Sequence, residues 1–241
     1  MAHGPALTLR IDSLRFGSAP LYDQFRLDVA PGETVALIGP SGVGKTTLLR
    51  ILAGVETGFT GQALVDGVPA AQAPVPGLVF QDARLLPWLT CEDNLRAVRP
   101  DLTPEAAEQA LAQVGLSGLG GAWPRQLSGG MQRRLGLTRA LIVNPGLLLL
   151  DEPFVSLDRA VVRELQTLVS DLIARTHPTA VLVSHDPEDA ARLAHRAVLI
   201  AGRPVRIIAD LTLDTAPSQR SRAQIAAHAE RIETTLTEAV P

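Results

Sequence analysis

A glycine-rich segment between two apolar segments constrains the fold of this chain more than any other feature. The apolar residues 34–38 precede it, and the apolar residues 48–53 follow it. A buried strand, a tight glycine turn and a helix in this order form the setting that a phosphate-binding loop requires. The loop consists of Gly39, Pro40, Ser41, Gly42, Val43, Gly44, Lys45, Thr46 and Thr47.

The residues of this loop are suited to binding phosphate. Glycines allow tight bends that point successive backbone N–H groups at an anion, and the helix that begins near Lys45 adds its N-terminal partial positive charge. Lys45 can reach the β- and γ-phosphates of a nucleotide, and Thr46 can complete a Mg²⁺ shell. A glycine turn that precedes a lysine by chance is the simpler interpretation. The strand before it and the helix after it favour a nucleotide site.

Length, charge and cysteine content limit the remaining possibilities. The 241 residues suit one domain, or one domain with an inserted lobe. The net charge of −3 offers no attraction to nucleic acid or to an acidic membrane surface. The single cysteine, Cys91, excludes an intrachain disulfide. Residues 1–10 lack the pattern of a signal peptide, and the longest apolar run is too short to span a bilayer. We therefore expect a soluble, cytosolic chain that reaches a membrane only through a partner.

The pattern of apolar residues predicts an α/β core. Alternating residues predict half-buried strands at 7–11 and 25–29, joined by a connection that contains residues 22–23. The unbroken apolar runs 147–150 and 180–183 predict strands buried on both faces, as parallel strands usually are.

A helical lobe interrupts this core. Residues 85–143 show only helical signals. Thr90 with Asp93, and Thr103 before Pro104, are N-cap patterns, and a third helix is expected to begin at residue 129 or 130. A further helix is predicted at 223–236. We assign residues 1–212 to one α/β domain, with the lobe inserted at about 85–143. Residues 213–241 then form a polar, helical tail.

Two adjacent acids follow the predicted strand 147–150. Asp151 and Glu152 thus lie at the carboxyl end of a parallel strand, where α/β sheets place their ligands. Asp151 can hold Mg²⁺ through water, and Glu152 is positioned to accept a proton from an attacking water. Paired acids on a surface turn are usually inert. The position of this pair after a buried strand favours a catalytic role.

Residues 127–132 predict a second anion site at the start of a helix. Ser128, Gly129 and Gly130 combine a hydroxyl, unobstructed backbone N–H groups and the helix dipole. An N-cap followed by flexible glycines would look the same if the segment stood alone. Two phosphate sites separated by a helical lobe are explained most simply if each site contacts ATP bound to the other subunit of a dimer.

These segments occur in the order seen in ATP-binding cassette (ABC) ATPases, and the chain resembles the nucleotide-binding subunit of an ABC transporter. The resemblance implies a P-loop NTPase core with a mixed sheet, an N-terminal antiparallel β subdomain and an inserted helical lobe. It also implies hydrolysis of ATP to ADP and phosphate with Mg²⁺, in a head-to-tail dimer. It rests on residues 39–47, Gln81, 127–132, 150–153, 156–158 and His185.

The resemblance implies roles for side chains outside the loop. Gln81 would contact Mg²⁺ at the hinge of the lobe, take part in catalysis and sense the membrane partner. His185 would contact the γ-phosphate and the attacking water, and because it follows a predicted strand we expect it at the same sheet edge as the paired acids. Asp158 would reach across the dimer. Phe16 would stack on adenine, with Tyr22 as the alternative.

Two positions depart from the usual family pattern. Met131 stands where glutamine is common, and Gly136 lies inside the predicted helix. A glycine within a helix costs about 1 kcal/mol relative to alanine. Gly136 therefore either permits a close contact or is merely tolerated.

Other function classes explain the sequence less completely. Soluble ABC ATPases that act on nucleic acid typically contain long coiled coils, zinc modules or two cassettes, whereas this chain shows a short lobe and no basic patch. A P-loop kinase for small molecules would not explain Ser128, Gly129 and Gly130. We therefore favour a transport-coupled ATPase that does not bind nucleic acid.

The solute is indicated only indirectly. Residues 79–90 resemble the nitrate, sulfonate and taurine uptake group, as do residues 123–124, and a thiamine-precursor importer is the alternative. The apolar residues 85–88 would suit a groove on a membrane subunit, although packing within the lobe explains them nearly as well. The resemblance implies permease subunits, a periplasmic or extracellular solute-binding protein and a location at the cytoplasmic face of the cell membrane.

Overall fold

Two β-sheets lie at the centre of the fold. The computed structural model describes residues 4–80, 82–155 and 157–239. In chain order, the strands of these residues are β1 (Leu7–Phe16), β2 (Ala19–Val29), β3 (Thr34–Ile38), β4 (Thr60–Val65), β5 (Val68–Pro69), β6 (Gly77–Val79), β7 (Leu147–Asp151), β8 (Thr179–Ser184), β9 (Arg196–Ala201) and β10 (Arg206–Thr212).

Seven α-helices accompany the sheets in the described part of the chain. In chain order they are α1 (Lys45–Leu52), α2 (Cys91–Arg96), α3 (Pro104–Gln113), α4 (Gly129–Leu141), α5 (Arg159–Thr176), α6 (Pro187–Leu193) and α7 (Arg222–Ala239). Not one of the helices in these ranges is both long and apolar enough to cross a bilayer.

The six-stranded sheet is mixed, with strand order β10-β9-β3-β8-β7-β6. Its strands run parallel except for β10, which is antiparallel to β9. Every residue of β3, β7 and β8 is buried, which confirms the prediction of strands covered on both faces. Because β3, β8 and β7 are parallel neighbours, their carboxyl ends meet at one edge of the sheet.

The second sheet is antiparallel, with strand order β2-β1-β4-β5. Its inward-facing residues form an apolar core with α1 and one face of the mixed sheet. The predicted connection at residues 22–23 is wrong, because β2 continues through it. Tyr22 is completely buried and packs edge-on against Phe25, with ring centroids 5.1 Å apart. Its aromatic ring therefore belongs to the core of this sheet.

The helical lobe consists of α2, α3 and α4. Residues 85–143 are all described, and they contain no strand, as predicted. The predicted helix starts are also present, since the hydroxyls of Thr90, Thr103 and Ser128 accept hydrogen bonds from the backbone N–H groups three residues later. The lobe packs against the opposite face of the mixed sheet from α1.

The C-terminal segment is attached to the core by a buried arginine. The Arg220 guanidinium donates to the carbonyls of Leu213, Asp214, Thr215, Ala191 and Ala194 at 2.7–3.2 Å. The helix predicted at 223–236 is present as α7, and its Ile232 is completely buried. The division of the chain at residue 213 stays a prediction.

Candidate functional site

The loop between β3 and α1 has the conformation that its glycines predict. Gly42 and Gly44 adopt φ angles of 74° and 126°, where residues with side chains are strained. A Cβ atom at Gly39 would lie 2.2 Å from the carbonyl oxygen of Ile200, so only glycine fits there. The hydroxyl of Tyr22 donates to the carbonyl of Gly44 at 2.9 Å and supports the loop from below.

Lys45 is buried within this loop. Its ammonium group donates to the carbonyls of Gly39 and Pro40 at 2.6 and 2.9 Å. Burial lowers the pKa of Lys45, whereas the nearby carboxylates of Glu152 and Asp151 raise it. The loop thus holds a desolvated cation beside its backbone N–H groups, which is an arrangement suited to a phosphate anion.

Thr46 and Asp151 meet at the start of α1. The Thr46 hydroxyl donates to a carboxylate oxygen of Asp151 at 3.1 Å. Burial raises the pKa of Asp151, and the hydrogen bond from Thr46 acts in the opposite direction. These hard oxygen atoms fit Mg²⁺, which typically binds proteins through one or two carboxylates and completes its shell with phosphate oxygens and water.

Glu152 and His185 form a pair at the same edge of the sheet. Nδ1 of His185 lies 3.3 Å from Oε2 of Glu152. The N–H of Glu152 donates to the carbonyl of Val183 at 2.9 Å, and its φ of 47° is a strained conformation for a residue with a side chain. The structure therefore brings the predicted base and the predicted phosphate-contacting histidine together. Gln81, predicted to act beside them, lies outside the described residues, as does Ser156.

The two aromatic candidates for stacking on adenine occupy different environments. Phe16 is 60% exposed and lines a cleft of about 220 Å³ together with Gly44, Thr47 and Arg203. Tyr22 cannot stack on a base, because it is completely buried beneath the loop. The proposal of Tyr22 as the alternative stacking residue is therefore wrong.

The second predicted anion site lies on the lobe. Ser128 and Gly129 are exposed at the start of α4, where the Ser128 hydroxyl accepts from the N–H of Met131 at 3.3 Å. Gly130 faces Leu157, whose Cδ2 would lie 3.2 Å from a Cβ at position 130. Asp158 is exposed immediately before α5, and its side chain makes no capping hydrogen bond. Ser128, Gly129 and Asp158 thus expose polar groups to solvent.

The segment that follows Gln81 is held to the lobe by residues that the sequence did not single out. Asn94 is completely buried, and its side chain makes hydrogen bonds with the backbone of Leu86, Leu89 and Thr90 at 2.8–3.2 Å. Arg139 donates to the carbonyls of Ala83 and Arg84 at 3.1 and 2.9 Å. An asparagine and an arginine on helices have no distinctive sequence signal, so only the fold shows this role.

Gly136 permits a close contact at the same segment. A Cβ atom at this position would lie 3.1 Å from the carbonyl oxygen of Ala83. Of the two explanations left open by the sequence, close packing is the one that the structure supports.

Comparison with known proteins agrees with this geometry. The ABC transporter family matches residues 22–155. The chain is 39% identical over 233 residues to the aliphatic sulfonates import ATP-binding protein SsuB 2 of Burkholderia cenocepacia, covering 95% of this chain and 86% of that protein. It is 42% identical over 212 residues to the aliphatic sulfonates import ATP-binding protein SsuB of Escherichia coli O6:H1, covering 88% and 82%.

Solved structures show the same fold. A dimeric ATP-binding cassette in a post-hydrolysis state, bound to ADP and Pi, superposes with a TM-score of 0.75 at 25% identity, over 88% of this chain and all of that chain. A phosphate loop on an α/β core with an inserted helical lobe defines a nucleotide-binding cassette. The chain belongs to the ABC transporter family, and its similarity to the nitrate, sulfonate and taurine uptake group is confirmed.

We expect Asn94→Ala to loosen the segment 82–90. The substitution leaves the part-buried N–H of Leu86 and carbonyl of Leu89 without the Asn94 side chain, and a fully buried group left unpaired costs roughly 1–3 kcal/mol, which is an upper bound here. Amide hydrogen exchange across residues 82–90 should become faster, while exchange in β3 should not change. Gln109→Ala, on the exposed surface of α3, is the matched control. Unchanged exchange in the Asn94 variant would show that other contacts hold the segment.

Proposed function

We propose that this chain is the ATP-hydrolysing subunit of an ABC importer and couples ATP binding and hydrolysis to solute uptake. The single observation that supports this most is the convergence of three groups at one sheet edge. These are the loop with Lys45, the Thr46–Asp151 pair, and the Glu152–His185 pair. A phosphate anchor, a metal site and a base with an adjacent imidazole are the parts that nucleotide hydrolysis requires.

Each of these groups has a distinct task in the proposed mechanism. Lys45, the backbone N–H groups of the loop and the N-terminus of α1 bind the β- and γ-phosphates. Thr46 and Asp151, with Gln81, would hold Mg²⁺, which would supply positive charge against the phosphates when bound. Glu152 accepts the proton of the attacking water, and His185 donates a hydrogen bond to the γ-phosphate.

The complete site is proposed to need two copies of the chain. Ser128, Gly129 and Gly130 lie at the start of α4, and Asp158 lies directly before α5, so none of them belongs to the loop that anchors the phosphates. In a head-to-tail dimer they would cover ATP bound to the other copy, with Phe16 of that copy stacked on the adenine. Exposure of Ser128, Gly129 and Asp158 in the single chain supports this arrangement, because such polar groups are then available to a partner's nucleotide.

The segment after Gln81 is the proposed contact with the permease. Trp88 is 66% exposed there, whereas Leu85 packs against the core of the lobe. A cleft of about 360 Å³ lies between α1 and this segment, and its lining includes Val55, Phe80 and Arg84 together with Thr46 and Asp151 of the nucleotide site. An exposed tryptophan is a typical anchor for a protein partner. The permease would place the chain at the cytoplasmic face of the membrane, opposite a solute-binding protein.

We expect Glu152→Gln to bind ATP with near-normal affinity and to accumulate as a dimer. The amide keeps the shape of the side chain but cannot accept the proton, so hydrolysis should fall by at least about a hundredfold. Size-exclusion chromatography with Mg²⁺-ATP, together with phosphate release, measures both effects. Lys45→Ala is the comparison variant, because it should lose tight nucleotide binding as well. Wild-type hydrolysis by Glu152→Gln would refute the assignment of the base.

We expect two inactive variants to restore activity when they are mixed. Lys45→Ala disables the loop of one copy and Ser128→Arg blocks the lobe of the other, so a mixed dimer retains one intact composite site. Neither variant alone contains such a site. ATP hydrolysis should therefore exceed the sum of the separate rates when the two are combined. Absence of any gain, with mixed dimers demonstrated by differential tags, would show that one chain contains the whole site.

Aliphatic sulfonates are the proposed solutes, because both relatives compared above are named as ATP-binding proteins for the import of these compounds. Deletion of the gene for this chain should slow growth on ethanesulfonate or taurine as sole sulfur source and leave growth on sulfate unchanged. Re-expression of the wild-type chain should restore growth, and the Glu152→Gln variant should not. A defect seen only with nitrate or with a thiamine precursor would reassign the solute without affecting the ATPase assignment.

A further inference from the structure

A buried polar cluster lies directly behind His185. It consists of Ser184, Gln166 and Asp189, which are 1%, 2% and 5% exposed. The Ser184 hydroxyl donates to Oδ2 of Asp189 at 2.6 Å, and the Gln166 amide donates to Oδ1 at 2.7 Å. Both oxygens of a buried carboxylate thus have donors, as a buried acid requires. We call these three residues the Asp189 cluster.

The Asp189 cluster fixes the backbone on both sides of His185. Ser184 is the last residue of β8, and its hydroxyl also accepts from the N–H of Asp186 at 3.0 Å. One hydroxyl therefore ties together the residues before and after the histidine, and Asp189 holds that hydroxyl. The His185 side chain is itself 53% exposed. Its direction is consequently set by the turn more than by surrounding side chains.

We propose that Asp189 is a positioning residue for ATP hydrolysis. Through Ser184 and with Gln166, it holds the turn that presents His185 to Glu152. The inference rests on the proposed function, because it presumes that ATP is hydrolysed at this edge of the sheet. The competing explanation is that the Asp189 cluster only joins α5 to α6, as buried polar networks often do in stable proteins.

The electrostatics of the cluster are consistent with this role. The pKa of Asp189 is raised to about 6, mainly by burial and also by the charge of Asp186, whereas hydrogen bonds from Ser184 and Gln166 and the charge of His185 act in the opposite direction. Protonation places a hydrogen on one carboxyl oxygen of Asp189. Either the Ser184 hydroxyl or the Gln166 amide then loses the oxygen that accepted its hydrogen bond. Positioning is therefore half lost at about pH 6, is fuller at higher pH and weakens further at lower pH. Other charged side chains at this face are Arg159, Arg163 and Glu188.

The raised pKa also has a defined effect on stability. An acid whose folded pKa lies above the ordinary value of 3.8 stabilises the fold fully below that value and loses this contribution as the pH rises through about 6. Retention of an ionised Asp189 at neutral pH thus lowers stability. A role in catalysis would explain why the chain keeps this group.

Steady-state ATP hydrolysis by purified full-length variants tests the proposal. Asp189→Ala should lower kcat by about tenfold or more, since small displacements of a catalytic group have large effects. Ser184→Ala should act in the same direction. The KM for ATP should stay within about twofold of wild type, because the phosphate loop is not altered. Glu188→Gln is the matched control, since its side chain forms a surface pair with Arg192 on the same helix.

Two further readouts separate positioning from a purely structural role. Asp189→Asn imitates the protonated carboxyl group with little change in shape, so the ratio of wild-type to variant kcat should be large well above pH 6 and should fall towards one as the pH drops well below 6. In a His185→Ala background, Asp189→Ala should cause no additional loss, because the group that it positions is gone. A structural role would give a ratio independent of pH and equal losses in both backgrounds.

The outcomes distinguish a failure of the proposed function from a failure of the positioning proposal. Wild-type protein that fails to hydrolyse ATP refutes the proposed function. Wild-type protein that hydrolyses ATP, with Asp189→Asn and Ser184→Ala equally active at pH 8, refutes the positioning proposal alone. Loss of kcat at unchanged KM, absent in the Glu188→Gln control and in the His185→Ala background, supports it.

Discussion

The parallel pairing of β3, β8 and β7 is the interaction on which the rest of the site depends. Ile38 pairs with Ser184, and Asp151 pairs with Val183. This register places the phosphate loop, the paired acids and His185 directly beyond three neighbouring strand ends. A shift of one residue would turn every side chain of a strand to the opposite face. Because all three strands are buried on both faces, each of these side chains would then have to fit a differently shaped layer of neighbours.

The phosphate loop and the helical lobe are supported by different contacts. The loop, the paired acids and His185 follow strands that are buried on both faces. The lobe packs against one face of the same sheet, and Asn94 and Arg139 bind the segment after residue 81 to α2 and α4. Such a two-part arrangement suits a switch that is driven by ligand binding.

Sequence patterns predicted helices, strands and the phosphate loop well where a single local signal, such as an apolar run or an N-cap residue, dominated. Apolar runs predicted β7 and β8, N-cap residues predicted the starts of α2, α3 and α4, and the glycine pattern predicted the loop. They failed at Tyr22, because a polar neighbour and a short spacing suggested a connection where β2 continues. Contacts between distant residues, such as that of Tyr22 with Gly44, leave no local signal.

The order of the motifs along the chain was sufficient to determine the family, the nucleotide chemistry and the residues expected to perform it. The reason is that a loop that binds phosphate through its backbone needs particular residue types at fixed spacing. Tertiary structure alone decided which of these residues meet. It placed His185 beside Glu152, buried Tyr22 beneath the loop and left Phe16 exposed. It also revealed the carboxylate of Asp189 behind His185, since the bonds from Ser184 and Gln166 exist only after three separate elements have packed together.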